Sequence, residues 1–97
     1  MTTEPKPRTR LEEINAVETL IKTMVCAVVD NEDRVEVRRL DGHANVMFEV
    51  IIEDRDMGFA MGQNGRTVEA MRTILNTLCK KLRLKYMFTI LSRAQVG

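Results

Sequence analysis

Apolar side chains recur at Leu11, Ile14, Val17, Leu20, Ile21, Met24, Val25 and Val28, three or four residues apart. That spacing predicts an amphipathic helix from Leu11 to near Asp30-Asn31. Thr9 is a candidate N-cap, and Glu12 and Glu13 fall in the first turn, where the helix dipole favours acids. From residue 34 to 40 the period changes to two, with Val35 and Val37 facing away from Glu36 and Arg38. Asp41-Gly42 signals a hairpin. Val46, Phe48, Val50 and Ile52 then alternate with Met47, Glu49 and Ile51, which predicts a second, more buried strand. Glu53-Asp54-Arg55-Asp56 breaks that strand and offers Asp54 as the N-cap of a short helix over Asp56–Met61. After Gly62-Gln63-Asn64-Gly65, a long helix carries Val68, Met71, Leu75, Leu78 and Leu82 on one stripe, widened by Ile74 and Cys79. Lys85–Leu91 is rich in residues that suit a strand.

The predicted order is α-β-β-α-α-β, an α+β fold with a three-stranded sheet and helices packed on one face. Two helices lead from the second strand to the third; as neighbours those strands run parallel, making the sheet mixed. A chain of 97 residues supports one domain. We read residues 1–10 as a flexible basic arm, 11–93 as the domain and 94–97 as a tail. No apolar run approaches the ~20 residues that span a bilayer, and the N-terminus has no apolar signal core. A cytoplasmic protein without membrane contact is expected. Cys26 and Cys79 fall in helical patterns beside apolar positions, as reduced, largely buried thiols do. His43 is the only histidine, in a turn with no accompanying nucleophile. The expectation is no catalytic residue, no metal and no cofactor.

The formal net charge of +1 supplies no bulk argument for a polyanion partner. Its distribution does. Residues 11–33 sum to −5, whereas residues 62–97 hold seven Lys or Arg against one Glu. Lys80 and Lys81 suit a helix C-terminus. Arg66 stands at a helix N-terminus, where a cation is disfavoured, and is the best candidate for a phosphate contact.

The positive third begins at Gly62-Gln63-Asn64-Gly65. Two glycines three apart permit positive φ and leave no Cβ in the way of a ligand. The helix that follows opens with N–H groups lacking intrahelical partners, an end that attracts phosphate. Gly58 lies four residues before Gly62, and both are expected to allow close backbone approach on one side of the short helix.

Taken with Val35-Glu36-Val37-Arg38, Asp56-Met57-Gly58, Met61-Gly62-Gln63-Asn64-Gly65-Arg66 and Ala70-Met71-Arg72-Thr73-Ile74-Leu75, this order resembles the type II KH domain. It is similar to the small stand-alone bacterial KH proteins of the KhpA type, over about residues 11–92. The resemblance implies a non-catalytic RNA-binding protein, a post-transcriptional regulator or RNA chaperone. It implies that Gly62, Gln63, Asn64, Gly65, Arg66, Thr67 and Arg72 hold the backbone of single-stranded RNA. Ile52, Met57, Gly58, Met61 and Val68 would line the groove that supports the bases. Met61 stands where the family usually has Ile. Gln63-Asn64 are neutral where the family usually carries a basic residue, so a charge-assisted contact is lost and Arg66 must compensate. With aromatic residues at 4%, base stacking on exposed rings is not the expected mode.

The resemblance also implies self-association, or pairing with a larger KH-containing partner of the KhpB or Jag type. That alternative reading is a protein-interaction module, with Met57, Phe59 and Met61 as anchors on the same face. A ribosome-assembly factor of similar fold ranks last, because such factors can lack the GxxG loop present here.

Overall fold

Thr9 and Glu12 close a reciprocal capping box: the Thr9 hydroxyl accepts from Glu12 N at 3.1 Å, and Glu12 Oε1 accepts from Thr9 N at 3.0 Å. The helix this starts, α1, runs Arg10–Val28. The computed structural model describes residues 8–96. Most of the expected arm lies outside those residues, but Arg10 belongs to α1.

The remaining elements are β1 (Glu36–Asp41), β2 (Val46–Ile52), α2 (Met57–Met61), α3 (Arg66–Leu82), β3 (Tyr86–Ser92) and α4 (Arg93–Val96). The expected order is therefore present, with one helical turn added at its end. The sheet order is β1-β2-β3. β1 pairs antiparallel with β2, Val37 opposite Val50, and β2 pairs parallel with β3, Phe48 opposite Phe88. The sheet is mixed, as the two intervening helices require.

Ile14, Val17, Ile21 and Val25 of α1 and Val68, Met71, Leu75 and Cys79 of α3 pack with Val46, Phe48, Val50, Ile52, Phe88 and Ile90 of the sheet into one core. Fully burying a side chain such as Phe48 contributes roughly 2–3 kcal/mol. Two apolar stripe members stay outside. Leu11 is exposed, and Ile74 is 49% exposed, on the α3 flank bordering Leu20 and Leu78.

Other local expectations change. Asp41 pairs with Val46, so the hairpin loop has four residues and Gly42 needs no positive φ. α1 stops at Val28, and Glu32–Arg34 forms a short 3-10 turn. Asp54 does not cap α2; its Oδ1 accepts from Ala94 N at 3.1 Å, at the start of α4. Thus residues 93–96, expected largely as tail, form a turn lying against β2 and β3. Ile51, on the outer sheet face, is buried at this end, where Arg93 reaches Glu36 and the Arg34 carbonyl.

The buried acid is Asp56, 1% exposed. It accepts from Asp30 N, Asn31 N and Asn31 Nδ2 at 3.1–3.2 Å, tying the end of α1 to the start of α2. Desolvation opposes its charge, but the bonds from Asn31 and Asp30 outweigh it and hold the carboxyl below the usual aspartate range. Cys79 is buried and Cys26 half-buried; both are free thiols, and desolvation raises the pKa of each.

Candidate nucleic-acid interface

α2 ends where Gly62 takes φ +75° and ψ 170° and donates its N–H to the Gly58 carbonyl at 2.9 Å. Gln63–Gly65 then makes a 3-10 turn, with Gly65 N–H donating to the Gly62 carbonyl at 3.1 Å. Asn64 (φ 57°) and Gly65 (φ 74°) are both left-handed. Asn is the non-glycine residue that tolerates this region best, because its short side chain bonds locally. The neutral residue at position 64 therefore has a backbone reason, and the Asn-Gly pair was its sequence signal.

The two glycines differ in what they provide. A Cβ on Gly62 would stand 2.8 Å from the Thr67 backbone nitrogen and from its Cβ. Gly62 thus lets the loop close on the first turn of α3. A Cβ on Gly65 meets nothing within 4 Å, and neither does one on Gly58. The expected close approach at Gly58 is absent among the described residues, and its exposed surface is open.

Gly65 is the N-cap of α3 and offers no side chain to the N–H groups behind it. Gln63, Asn64 and Arg66, which flank this helix start, are all exposed. Arg66 makes no ion pair among the described residues. The one acid in the first turn, Glu69, lies 3.6 Å from Arg72 Nε. Loop and helix start therefore form a cluster of donors suited to a phosphate.

The groove residues divide. Ile52 and Val68 are buried in the core and present no usable surface to a ligand. Their alternation and stripe positions already fitted a core role. Met57 and Met61 are half-buried against that core. Phe59, 52% exposed on α2, is the large apolar side chain this surface offers. Thr67 is half-buried beneath Gly62, so its contribution is to the loop's shape. Arg72 stands apart from the loop: its Nη1 donates to the Phe88 carbonyl at 2.8 Å, and the guanidinium carbon lies 5.3 Å from the Phe88 ring centroid.

Lys80 and Lys81 occupy the last turn of α3, where the dipole favours them. Arg10 adds a third cation there, donating to the Leu82 and Arg83 carbonyls at 2.7 Å. The C-terminal half of the basic third is in this way largely accounted for by helix capping. No helix among the described residues is long and apolar enough to cross a membrane.

The same fold occurs in two crystal structures of Era, that of Aquifex aeolicus and one in complex with 16S ribosomal RNA. Each matches at TM-score 0.55, with 11–12% identity, over 96% of this chain and 38% of the Era chain. In sequence, the chain is 35% identical over 72 residues to the RNA-binding protein KhpA of Caldanaerobacter subterraneus, covering 74% of this chain and 96% of that one. It is 28% identical over 78 residues to the RNA-binding protein KhpA of Aquifex aeolicus, covering 80% and 99%. The model of the KhpA/KhpB KH domain matches residues 18–90, the stretch from the third turn of α1 to Ile90 in β3 that frames the two-glycine loop. The chain thus belongs to the KhpA/KhpB KH-domain family.

Proposed function

We propose that the protein binds single-stranded RNA without catalysis, holding its sugar-phosphate backbone at Gly62–Arg66. The carrying observation is the start of α3, without a side-chain cap, behind a left-handed, two-glycine turn, with Arg66 beside it making no ion pair among the described residues. Family membership and the RNA-binding names of the KhpA relatives support the same ligand. The backbone amides and Arg66 supply positive charge locally, so binding is weak and salt-sensitive. An RNA ligand places its action in the cytoplasm, as a regulator or chaperone of transcripts.

The test is a titration with short single-stranded RNAs at two salt concentrations, comparing the wild type with Gln63→Asp plus Asn64→Asp. Two added charges beside the phosphate path should weaken binding on the order of ten-fold at low salt, and less at high salt. Equal affinities for the two proteins would sink the loop as the binding site.

A second reading is favoured by Phe59, a half-exposed aromatic on α2 next to the open Gly58. It makes this surface a contact for a second copy or for a larger KH-containing partner. Sedimentation over a range of concentrations, with the wild type and Phe59→Ser, distinguishes it; a concentration-independent monomer removes the homodimer.

A further inference from the structure

The end of α3 away from the two-glycine loop gathers cations. Lys80, Lys81, Arg83 and Lys85 are all exposed and make no ion pair among the described residues. Arg10 brings the start of α1 to the same end through its bonds to the Leu82 and Arg83 carbonyls, and Arg8 is exposed just before it. The β1–β2 hairpin adjoins, because Val46 N donates to the Lys85 carbonyl at 3.0 Å. The acids here are engaged: Glu12 accepts from Thr9 N, Glu13 from Arg10, and Asp41 pairs with Arg39 at 3.0 Å. The dipole of α3 favours Lys80 and Lys81 in its last turn, but Arg83 and Lys85 lie past that turn. Like charges packed this closely repel one another, a cost without return in the folded chain alone.

One side of α3 leads from these cations back to the loop. Arg66, Ala70, Thr73, Thr77 and Lys80 follow one another at four and three residues, so they share a helix face, and all are exposed. At 1.5 Å per residue this line is about 21 Å long. α3 carries one acid, Glu69, and it lies 3.6 Å from Arg72 Nε. At the opposite end of α1 the sign reverses. Asp30, Glu32, Asp33 and Asp54 are exposed there, around the bonds that Asp56 accepts from Asp30 and Asn31. A polyanion held at the loop is therefore attracted along α3 and repelled from the end of α1.

We propose that the Lys80–Lys85 end of α3 is a second phosphate-binding surface, which takes the continuation of the RNA strand held at the two-glycine loop. A loop of this kind clamps about four nucleotides. Reaching Lys80 takes about six more at the 3.4 Å spacing of a stacked strand, so the full footprint is about ten. Lysine ammonium groups act on phosphates as point charges and read no base edge. The surface thus adds affinity and strand length without a base preference. The inference rests on the RNA-binding reading above and adds a second contact to it.

The experiment follows fluorescence anisotropy of labelled U4 and U12 oligoribonucleotides at several salt concentrations. It compares the wild type with a neutral variant (Lys80→Gln, Lys81→Gln and Lys85→Gln together) and with the matching Lys→Arg triple, circular dichroism checking each fold. The wild type should show a steeper log–log salt slope for U12 than for U4. The neutral variant should bind U12 on the order of ten-fold more weakly at low salt, with a slope flatter by about 2, at about 0.7 per lost contact. Its U4 affinity should stay within about two-fold, because the lysines lie about two Debye lengths from the loop at 0.1 M salt. The arginine variant keeps the charge and should hold U12 within about three-fold of the wild type. The extra registers that U12 offers a short site are common to all three proteins and cancel when their U12-to-U4 ratios are compared. Amide resonances of residues 80–85 should shift with U12 and not with U4. Equal wild-type slopes for the two oligonucleotides, or equal weakening of both in the neutral variant, would overturn the proposal with RNA binding intact. Loss of U12 binding in the arginine variant would overturn it as well. So would wild-type binding to phosphatidylserine vesicles that the neutral variant lacks, with U12 affinity equal in the two, since the patch would then serve a membrane. Gln63→Asp plus Asn64→Asp separates the two sites. Weaker U12 binding there, with none lost in the neutral variant, keeps the loop and removes this surface; the reverse removes the loop and leaves the lysines as the RNA contact. No wild-type binding to either oligonucleotide would remove both.

Discussion

Gly62 and Thr67 are packed so closely that a single Cβ on the glycine would stand 2.8 Å from the Thr67 backbone nitrogen. The contact joins the end of α2 to the first turn of α3, so the loop between them is drawn tight. Gly62→Ala must both push this contact apart and adopt a positive φ, at a cost of roughly 2–4 kcal/mol. Gly65→Ala meets open space and suffers only the left-handed backbone, about 1 kcal/mol. Urea denaturation of the two variants should rank Gly62→Ala clearly below Gly65→Ala, with unchanged m-values.

The same backbone geometry separates the two neutral loop residues. Asn64 sits at φ 57°, where a long side chain is disfavoured, whereas Gln63 has no positive φ. Gln63→Lys should tighten RNA binding by roughly three- to ten-fold at low salt and steepen the salt dependence by about 0.7 in the log–log slope. Asn64→Lys should gain less and lose up to about 1 kcal/mol of stability, because lysine replaces the residue that suits that conformation. Fluorescence anisotropy at several salt concentrations, paired with thermal melts, reads both effects.

Asp56 gives the fold a defined pH dependence. Its carboxylate is held below the usual aspartate range by Asn31 and Asp30, against the cost of burial. A depressed acid contributes its stabilisation fully above the unfolded-state value of about 3.9 and loses it as pH falls through the lower folded value. Asp56→Asn should therefore lower the urea midpoint at pH 7, and the difference from the wild type should narrow as pH drops below about 3.9. A gap that stays constant across this window would mean that shape, rather than charge, matters at this position.

Arg83 ends α3 in the left-handed region, at φ 54°, a place where helices commonly use glycine. Its N–H donates to the Cys79 and Lys80 carbonyls, and Arg10 caps the Arg83 carbonyl from α1. Arg83→Gly keeps those backbone bonds and removes the Cβ strain, so a gain of about 0.5–1 kcal/mol is expected in thermal or urea unfolding. Arg10→Ala should act in the opposite direction by about 1 kcal/mol, having lost two hydrogen bonds to the end of α3.

Periodicity along the chain was enough for the element order and the two-glycine loop. Spacings of two and of three or four follow from how side chains leave a strand or a helix, and so need no partner. Ile14, Val17, Ile21 and Val25 went into the core for that reason, as did Phe48 and Val50. What tertiary structure alone decided is which member of an apolar stripe finds a neighbour. Ile74 shares its stripe with Leu75 and Leu78 yet stays 49% exposed, whereas Ile51 on the outer sheet face is covered near α4. Polar pairings were equally out of reach locally. Asp56 meets Asn31 across 25 residues, and Asp54 meets Ala94 across 40, so no motif could announce either. Arg72 shows the same limit: its charge and helix position were plain, but its hydrogen bond to the Phe88 carbonyl, 16 residues away, depends on how α3 and β3 come together in the fold.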